Sequence, residues 1–265
     1  MHLHYLQLIL IIYITGYNMR TIKNGNKFKG VSIGGQQIKG LYKNGEKFYE
    51  KHSYTPFATP ILDLDFQNNF VDKSPSAITM IQGQGLPTFG LSGRKAGEYC
   101  ANFNGSQSIR TLTNLPINSD KICIKVLMKT TQSALSVISE TSADSGANSA
   151  FRFVLNTNSI AIVDHNRSNN ALFSNFVVNN GDWFHIIVSI DRSLGINQNK
   201  IFINGNLGFG QGEANDLSGN FGNHILNIGQ RAGNVFGYVG SLMKYQVFNQ
   251  VPTDAQAMEM YQNDL

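Results

Sequence analysis

Along most of the chain the apolar residues come in short runs or in alternation with polar ones, and clusters of Gly, Asn, Asp and Ser separate them. From Ile61 onward the runs are ILDLDF, EYCANF, KICIKVLMK, LSVIS, AFRFVLN, SIAIVD, WFHIIVSI, KIFIN, HILNIG and YVGSLMKYQVF. Each has the length of a strand, and none sustains the 3.6-residue period of a long helix. The pattern predicts an all-β sandwich or barrel. The end of the chain differs. After Val251-Pro252, Thr253 and Gln256 stand at capping-box spacing, and Met258 and Tyr261 fall on one face, so a short C-terminal helix is expected.

The first part of the chain has its own pattern. TIKNGNKFKG (21–30) and LYKNGEKFYE (41–50) repeat KNGxKF twenty residues apart, with VSIGGQQIKG between them. Asn-Gly and Gly-Gly between short alternating runs are strong hairpin signals, because type I′ turns need positive φ at both central residues. Residues 19–51 therefore read as a small β-meander. A ribbon of this size buries little apolar surface and is marginal alone, so it is expected to dock on something. HSYTPFATP (52–60), with two prolines and no period, reads as a linker, and 61–265 as the sandwich. Residues 1–18 hold an apolar run short for a bilayer span and lack the positive region and small-residue cleavage site of a secretory signal. They read as an over-extended start ahead of Met19, as a weak signal or anchor, or as a strand.

Composition narrows the class. Of 265 residues, 42% are hydrophobic, which suits a folded core, but only 14% are charged, well under the ~25% of an average soluble domain. The surface must then be rich in neutral polar groups, which suits turns, sheet edges and neutral ligands such as sugars. The net charge of +4 comes from scattered residues, much of the excess before residue 52, with no basic stripe interleaved with aromatics, so nucleic acid is not expected as a partner. Cys100 and Cys123 are too few for a disulfide framework. They read as two buried small side chains, the alternative being one bridge.

In their order and spacing, five stretches resemble the laminin-G-like jelly rolls of the concanavalin A-like lectin and glucanase fold: LDLDFQNNFVDKSPS (62–76), KAGEYCANFNGSQSI (95–109), KICIKVLMKT (121–130), GDWFHIIVSIDRS with KIFINGNLG (181–208), and LNIGQRAGNVFGYVGSLMKYQVFNQVPTDAQAMEMY (226–261). The resemblance implies a two-sheet antiparallel jelly-roll sandwich. In such a frame Trp183 is expected to fill the gap between the sheets, and Asn204-Gly205 to supply a positive-φ turn. Phe103-Asn104-Gly105 is read as scaffold as well. The KNGxKF meander is similar to the short N-terminal segments of phage and prophage virion proteins of gut Bacteroidetes.

Catalytic signals are sparse. Glucanases of this fold carry three carboxylates at i, i+2 and i+4 on one strand. Here Asp63 and Asp65 lack a third, being flanked by Ile61 and Gln67, and they lie on the opening strand. No zinc spacing joins the histidines His52, His165, His185 and His224, and neither a nucleophile elbow nor a phosphate loop is present. Relatives of the fold hold Ca2+ at one rim through Asp side chains and carbonyls. On that resemblance Asp144, Asp164 and Asp216, in three separate loops, are candidate ligands, and otherwise turn residues.

Three functions stay open. The first is a non-catalytic carbohydrate- or receptor-binding surface protein that acts through many weak copies. Its contacts are expected in the polar loops ETSADSGANS, DHNRSNN and GQRAGNVF, from Asp164, His165, Arg167, Asn169, Arg231, Asn234 and Phe236. The second is a structural virion or fibre subunit, oligomeric or docked through residues 19–51. The third is a glycoside hydrolase. The first two place the protein on a virion, outside the cell or at its surface, with no membrane span.

Overall fold

The computed structural model describes residues 57–142, 151–164, 171–194, 199–210 and 219–264, together with the backbone of five short strands between Met19 and Glu50. The chain divides into two compact units, Met1–Pro56 and Phe57–Leu265.

In the first unit, β1 (Met19–Thr21), β2 (Phe28–Ile33) and β3 (Gln36–Gln37) form a three-stranded antiparallel sheet. β4 (Gly40–Lys43) pairs with β5 (Glu46–Glu50). Ile33 pairs with Gln36, and Lys43 with Glu46, so two residues separate the partners at each hairpin. Residues 1–18, Lys51 and residues 52–56 of the stretch read as linker lie outside the described residues.

The second unit is a sandwich of two antiparallel sheets. Its strands are β6 (Leu62–Leu64), β7 (Met80–Gln82), β8 (Thr88–Gly90), β9 (Cys100–Asn104), β10 (Ile109–Thr111), β11 (Lys121–Lys129), β12 (Ser136–Thr141), β13 (Phe151–Asn156), β14 (Ser159–Asp164), β15 (Ala171–Phe173), β16 (Trp183–Asp191), β17 (Asn199–Ile203), β18 (Asn206–Gly210), β19 (Leu226–Ile228) and β20 (Val239–Phe248). One sheet has seven strands in the order β15-β14-β13-β12-β19-β10-β7. The other has eight, in the order β18-β17-β16-β11-β20-β9-β8 with β6 also on β20. Strand alternation builds the core between them. Ile122, Ile124, Val126 and Met128 of β11 face Phe151, Phe153 and Leu155 of β13 across the gap, all nearly inaccessible to solvent,.

The Asn204-Gly205 turn is as expected, with φ of 51° and 79°, joining Ile203 to its partner Asn206. α1 (Asp254–Asn263) starts with both bonds of the Thr253/Gln256 capping box. It buries Ala257 and Met260, while Met258 and Tyr261 flank that face half-buried. Ala257 and Met260 pack with Cys123, Ile187, Phe202 and Phe248 on the outer face of the eight-stranded sheet. Phe57 and Ala58, inside the stretch read as linker, join this cluster. Cys100 and Cys123 are free thiols, both buried.

The expectation for Trp183 is overturned. In β16 it is Ile186, Val188 and Ile190 that enter the core, with Phe184 packed against it. Trp183 has the opposite parity and lies on the outer face, half-buried against Cys100, Leu127 and Met243. The opposite sheet covers one face of this strand and α1 packs on the other at Ile187, so its sequence is apolar at both parities and does not show which one is inward.

Candidate functional site

The sandwich has two ends. One is formed where β11 passes into β12, and residues 130–135, 157–158, 176–182 and 229–238 meet there. Gln132 knits this end together. Its Nε2 donates to the Gly237 carbonyl (3.2 Å), and its Oε1 accepts from the Val239 N–H (2.8 Å). Its carbonyl accepts from Asn179 Nδ2 (3.3 Å), which also donates to the Thr157 carbonyl (3.2 Å). Through its side chain and its carbonyl, and with Asn179, Gln132 thus ties these connections to one another.

The 229–238 connection is fastened along its length. The Tyr238 N–H donates to the Gly229 carbonyl (2.8 Å), the Arg231 N–H to the Val235 carbonyl (3.1 Å), and the Val137 N–H to the Phe236 carbonyl (2.7 Å). Gln230 Nε2 donates to Gln84 Oε1 (2.7 Å) and to the Gly105 carbonyl (2.9 Å). At Gly237 a Cβ would stand 1.9 Å from that carbonyl oxygen, so only glycine permits the approach. Asn234 and Phe236 have φ of 62° and 54°. For a phenylalanine this costs about 1–2 kcal/mol, and yet the ring is 46% exposed. Val235, Leu135, Val177 and Val239 are exposed at the same end.

The outer face of the seven-stranded sheet carries a second feature. Val163, Arg152 and Glu140 pair in register across β14, β13 and β12. Arg152 Nε donates to Glu140 Oε1 (3.1 Å), Arg231 Nε lies 3.4 Å from the same oxygen, and the Ala232 N–H donates to Oε2 (3.1 Å). Arg231 therefore leaves its loop to reach this row. Asp164 follows Val163 and pairs through its backbone with Phe151. Of the expected contacts, Arg231 reaches the row of Val163, Arg152 and Glu140, whereas Asn234 and Phe236 stay at the Gln132 end. His165, Arg167, Asn169, Asp144, Asp216 and the Asp164 side chain lie outside the described residues. Among the described residues no three His, Cys, Asp or Glu gather as metal ligands.

Sequence reasoning missed a third constellation, on the outer face of the eight-stranded sheet beside α1. The Asp264 carboxylate accepts from Lys125 (2.8 Å) and Lys244 (2.9 Å), and His185 Nε2 lies 3.2 Å away. Arg94 donates to the Asp264 carbonyl, and Tyr261 stacks at a tilt on His185. Burial pushes the Asp264 carboxyl up, but His185, Lys125 and Lys244 outweigh it and hold the group far below the usual carboxylate range. Burial draws His185 below its ordinary value. A neutral His185 can then donate from Nε2, and the cluster reads as a structural latch for α1. The one available signal was the parity of Lys121, Lys125 and Lys129, which marks the outward face of β11.

Asp63 and Asp65 are engaged locally. Asp63 accepts from Gln246 Nε2 (2.8 Å), and Asp65 is paired with Lys73. Asp72 closes the following turn, accepting from the N–H groups of Asp63, Ser74 and Ile78. Among the described residues no helix is long and apolar enough to cross a membrane.

Comparison with known proteins agrees with this architecture. Among curated proteins no sequence match is found. The receptor binding domain of botulinum neurotoxin D is similar in structure, with a TM-score of 0.59 and 16% identity over 78% of this chain and 53% of that one. The type G receptor binding domain gives 0.57 and 16%, over 78% and 52%. That of the mosaic serotype C/D gives 0.59 and 15%, over 79% and 52%. The chain thus spans about half the length of these structures, and at such identities the likeness is one of fold. Residues 103–258, more than half of the chain, match the laminin-G-like family described as the concanavalin A-like lectin/glucanases superfamily. With both sheets, the jelly-roll-like order and the sequence match in agreement, the chain belongs to that superfamily.

Proposed function

We propose that the protein is a non-catalytic carbohydrate- or receptor-binding surface protein that contacts its ligand at the Gln132 end of the sandwich. The observation that carries this is Phe236, a bulky ring held at positive φ in a loop fastened by several hydrogen bonds and left exposed beside other apolar side chains. Strain at an exposed side chain in a rigid frame is what a pre-organised contact requires. The similar structures are receptor binding domains, which is consistent with this reading. Absence of catalysis is supported by Glu140, Asp63 and Asp65, whose carboxylates are all engaged by neighbouring groups. Single contacts of this shallow kind are weak, so several copies must act together. An oligomerised protein on a glycan array, with and without Ca2+, is expected to give signals that Phe236→Ala reduces about tenfold. A silent array, or signals indifferent to Phe236, would refute the reading.

A second reading, favoured by the strand edges of the small sheets in residues 19–51, which pair with no further strand among the described residues, adds a structural role. An exposed strand edge presents unpaired N–H and C=O groups that seek a partner. Through it the protein would be fixed in a larger assembly, such as a virion fibre or another cell-surface structure. Light scattering should then show an assembly for the full chain and a monomer for a protein beginning at Tyr54. Two monomers would dismiss this role.

A further inference from the structure

Five residues stand in one row across the outer face of the eight-stranded sheet. Trp183 pairs with Lys129, Lys129 with Ser241, Ser241 with Asn102, and Asn102 with Thr88. At ordinary strand spacing the row is about 19 Å long. α1 covers the same face further along, over Ile187 and Phe202; in the row Ser241 is buried, Trp183, Lys129 and Asn102 are half-buried and Thr88 is exposed. The next row, Leu127, Met243 and Cys100, is covered in part by residues 92–94, with Ser92 Oγ 3.1 Å from Cys100 Sγ and the Arg94 N–H on Met243 Sδ (3.0 Å). The row therefore runs along a ledge.

Its chemistry is specific. Trp183 offers a half-buried indole at one end. Lys129 Nζ stands 5.4 Å from the ring centroid, and among the described residues no carboxylate is paired with it. The acid that precedes Trp183 in the chain, Asp182, is engaged by Asn180 Nδ2 (2.7 Å). Asn102 Oδ1 accepts the Ser241 hydroxyl (2.7 Å) and the Cys100 thiol (3.4 Å), which orients the amide with its NH2 as the donating end. A Cβ at Gly90 would lie 3.1 Å from that Nδ2, so glycine there keeps the amide uncrowded.

We propose that this row binds an extended acidic oligosaccharide, a chain bearing uronate- or sialate-type carboxylates. One sugar lays its C–H face on Trp183, displacing the Lys129 ammonium from above the ring. The flexible lysine stem turns that ammonium to the sugar carboxylate, and Asn102 and Thr88 bond the hydroxyls of the following sugars. A nucleic acid fits less well, since the row has one cation and phosphate recognition uses several. The site builds on the reading of the protein as a sugar-binding module, but it lies on a sheet face and not at the loops.

Trp183 is the only tryptophan in the chain, so its fluorescence reports this site alone. Titration with tetragalacturonate is expected to shift the indole emission saturably. Lys129→Met, which keeps the stem on the indole, should weaken binding about tenfold, and Lys129→Arg should retain it. Asn102→Ala should give a smaller loss. Equal response to the carboxyl-reduced oligosaccharide, to a heparin-derived sulfated one or to a polyglutamate peptide overturns the assignment. A positive glycan array with unmoved emission and an unaffected Lys129→Met protein overturns this site and leaves the proposed function standing. A silent array together with unmoved emission overturns both.

Discussion

Asp264 shows how much a single side chain carries here. Its carboxylate meets two lysines and a histidine on three different strands, and all four groups are largely withdrawn from solvent. Removing one member of such a cluster leaves the others charged and uncompensated, which costs more than the pair itself contributes. Asp264→Asn should destabilise the protein by about 3 kcal/mol in urea unfolding. The sign of the pH effect follows from the same group. Its folded value lies below the unfolded one, so its contribution is complete above the ordinary carboxylate value near 4 and is lost as pH falls below it,. His185, kept neutral by burial, adds a loss that begins as pH drops below about 6.5, where the unfolded chain takes up a proton that the folded one resists,. Unfolding midpoints measured from pH 7 to pH 3 should show both limbs, and Asp264→Asn should flatten the lower one. Beyond the outward parity of Lys125 in β11, none of this was legible in the sequence. Lys125, His185, Lys244 and Asp264 share no local spacing, and only the fold brings them together. Trp183 was misread for a related reason, because a strand covered on both faces gives no alternation to read.

At the scale of elements the sequence was far more informative. Each of the ten apolar runs from Ile61 onward coincides with a strand of the sandwich, because alternation or an apolar run between turn residues is local; eight of these strands have five or more residues, and β6 and β19 have three,. The strands absent from those runs are short edge or near-edge pieces such as Met80–Gln82, Thr88–Gly90 and Ala171–Phe173. These pieces have few apolar residues and a barely readable period, and their pairing comes from neighbouring strands. Turn and cap chemistry was local and therefore legible, as at Asn204-Gly205 and Thr253. The candidate site was legible only in part. Phe236 and Asn234 stood out as loop residues, but the Gln132 bonds that fix their loop span more than a hundred residues of chain. The turn also meets the helix. A Cβ on Gly205 would lie 2.8 Å from Met258 Sδ and 3.2 Å from the Met258 Cα, on a backbone with φ of 79°. Gly205→Ala should therefore cost about 2–3 kcal/mol, from positive φ and from displacement of α1. Denaturant unfolding measures the loss, and faster amide exchange in Asp254–Asn263 would locate it at the helix.

The whole molecule joins two units of unlike charge. Residues 1–56 hold eight of the 21 lysines and arginines and two of the 17 acids, so the sandwich that follows is slightly acidic. Such asymmetry suits a division of labour in which the ribbon meets an acidic or strand-donating partner and the sandwich meets the ligand. The division predicts where the chain can be cut. The Phe57 ring packs edge-on to Phe248 at 5.4 Å, Ala58 sits in the same cluster beside Ala257 and Met260, and the Ile61 N–H donates to the Val247 carbonyl. These contacts belong to the sandwich although they lie within its proline-bearing lead-in. A protein beginning at Tyr54 keeps all of them and should unfold at the denaturant midpoint of the sandwich in the full chain. One beginning at Thr59 loses the Phe57 ring and Ala58, uncovers Phe248 and the buried face of α1, and should be weaker by about 2 kcal/mol. If the two truncations unfold alike, the packing of Phe57 contributes nothing and the sandwich begins at Ile61. If the longer one is already destabilised relative to the full chain, the ribbon supports the sandwich directly and the two units are not independent in stability.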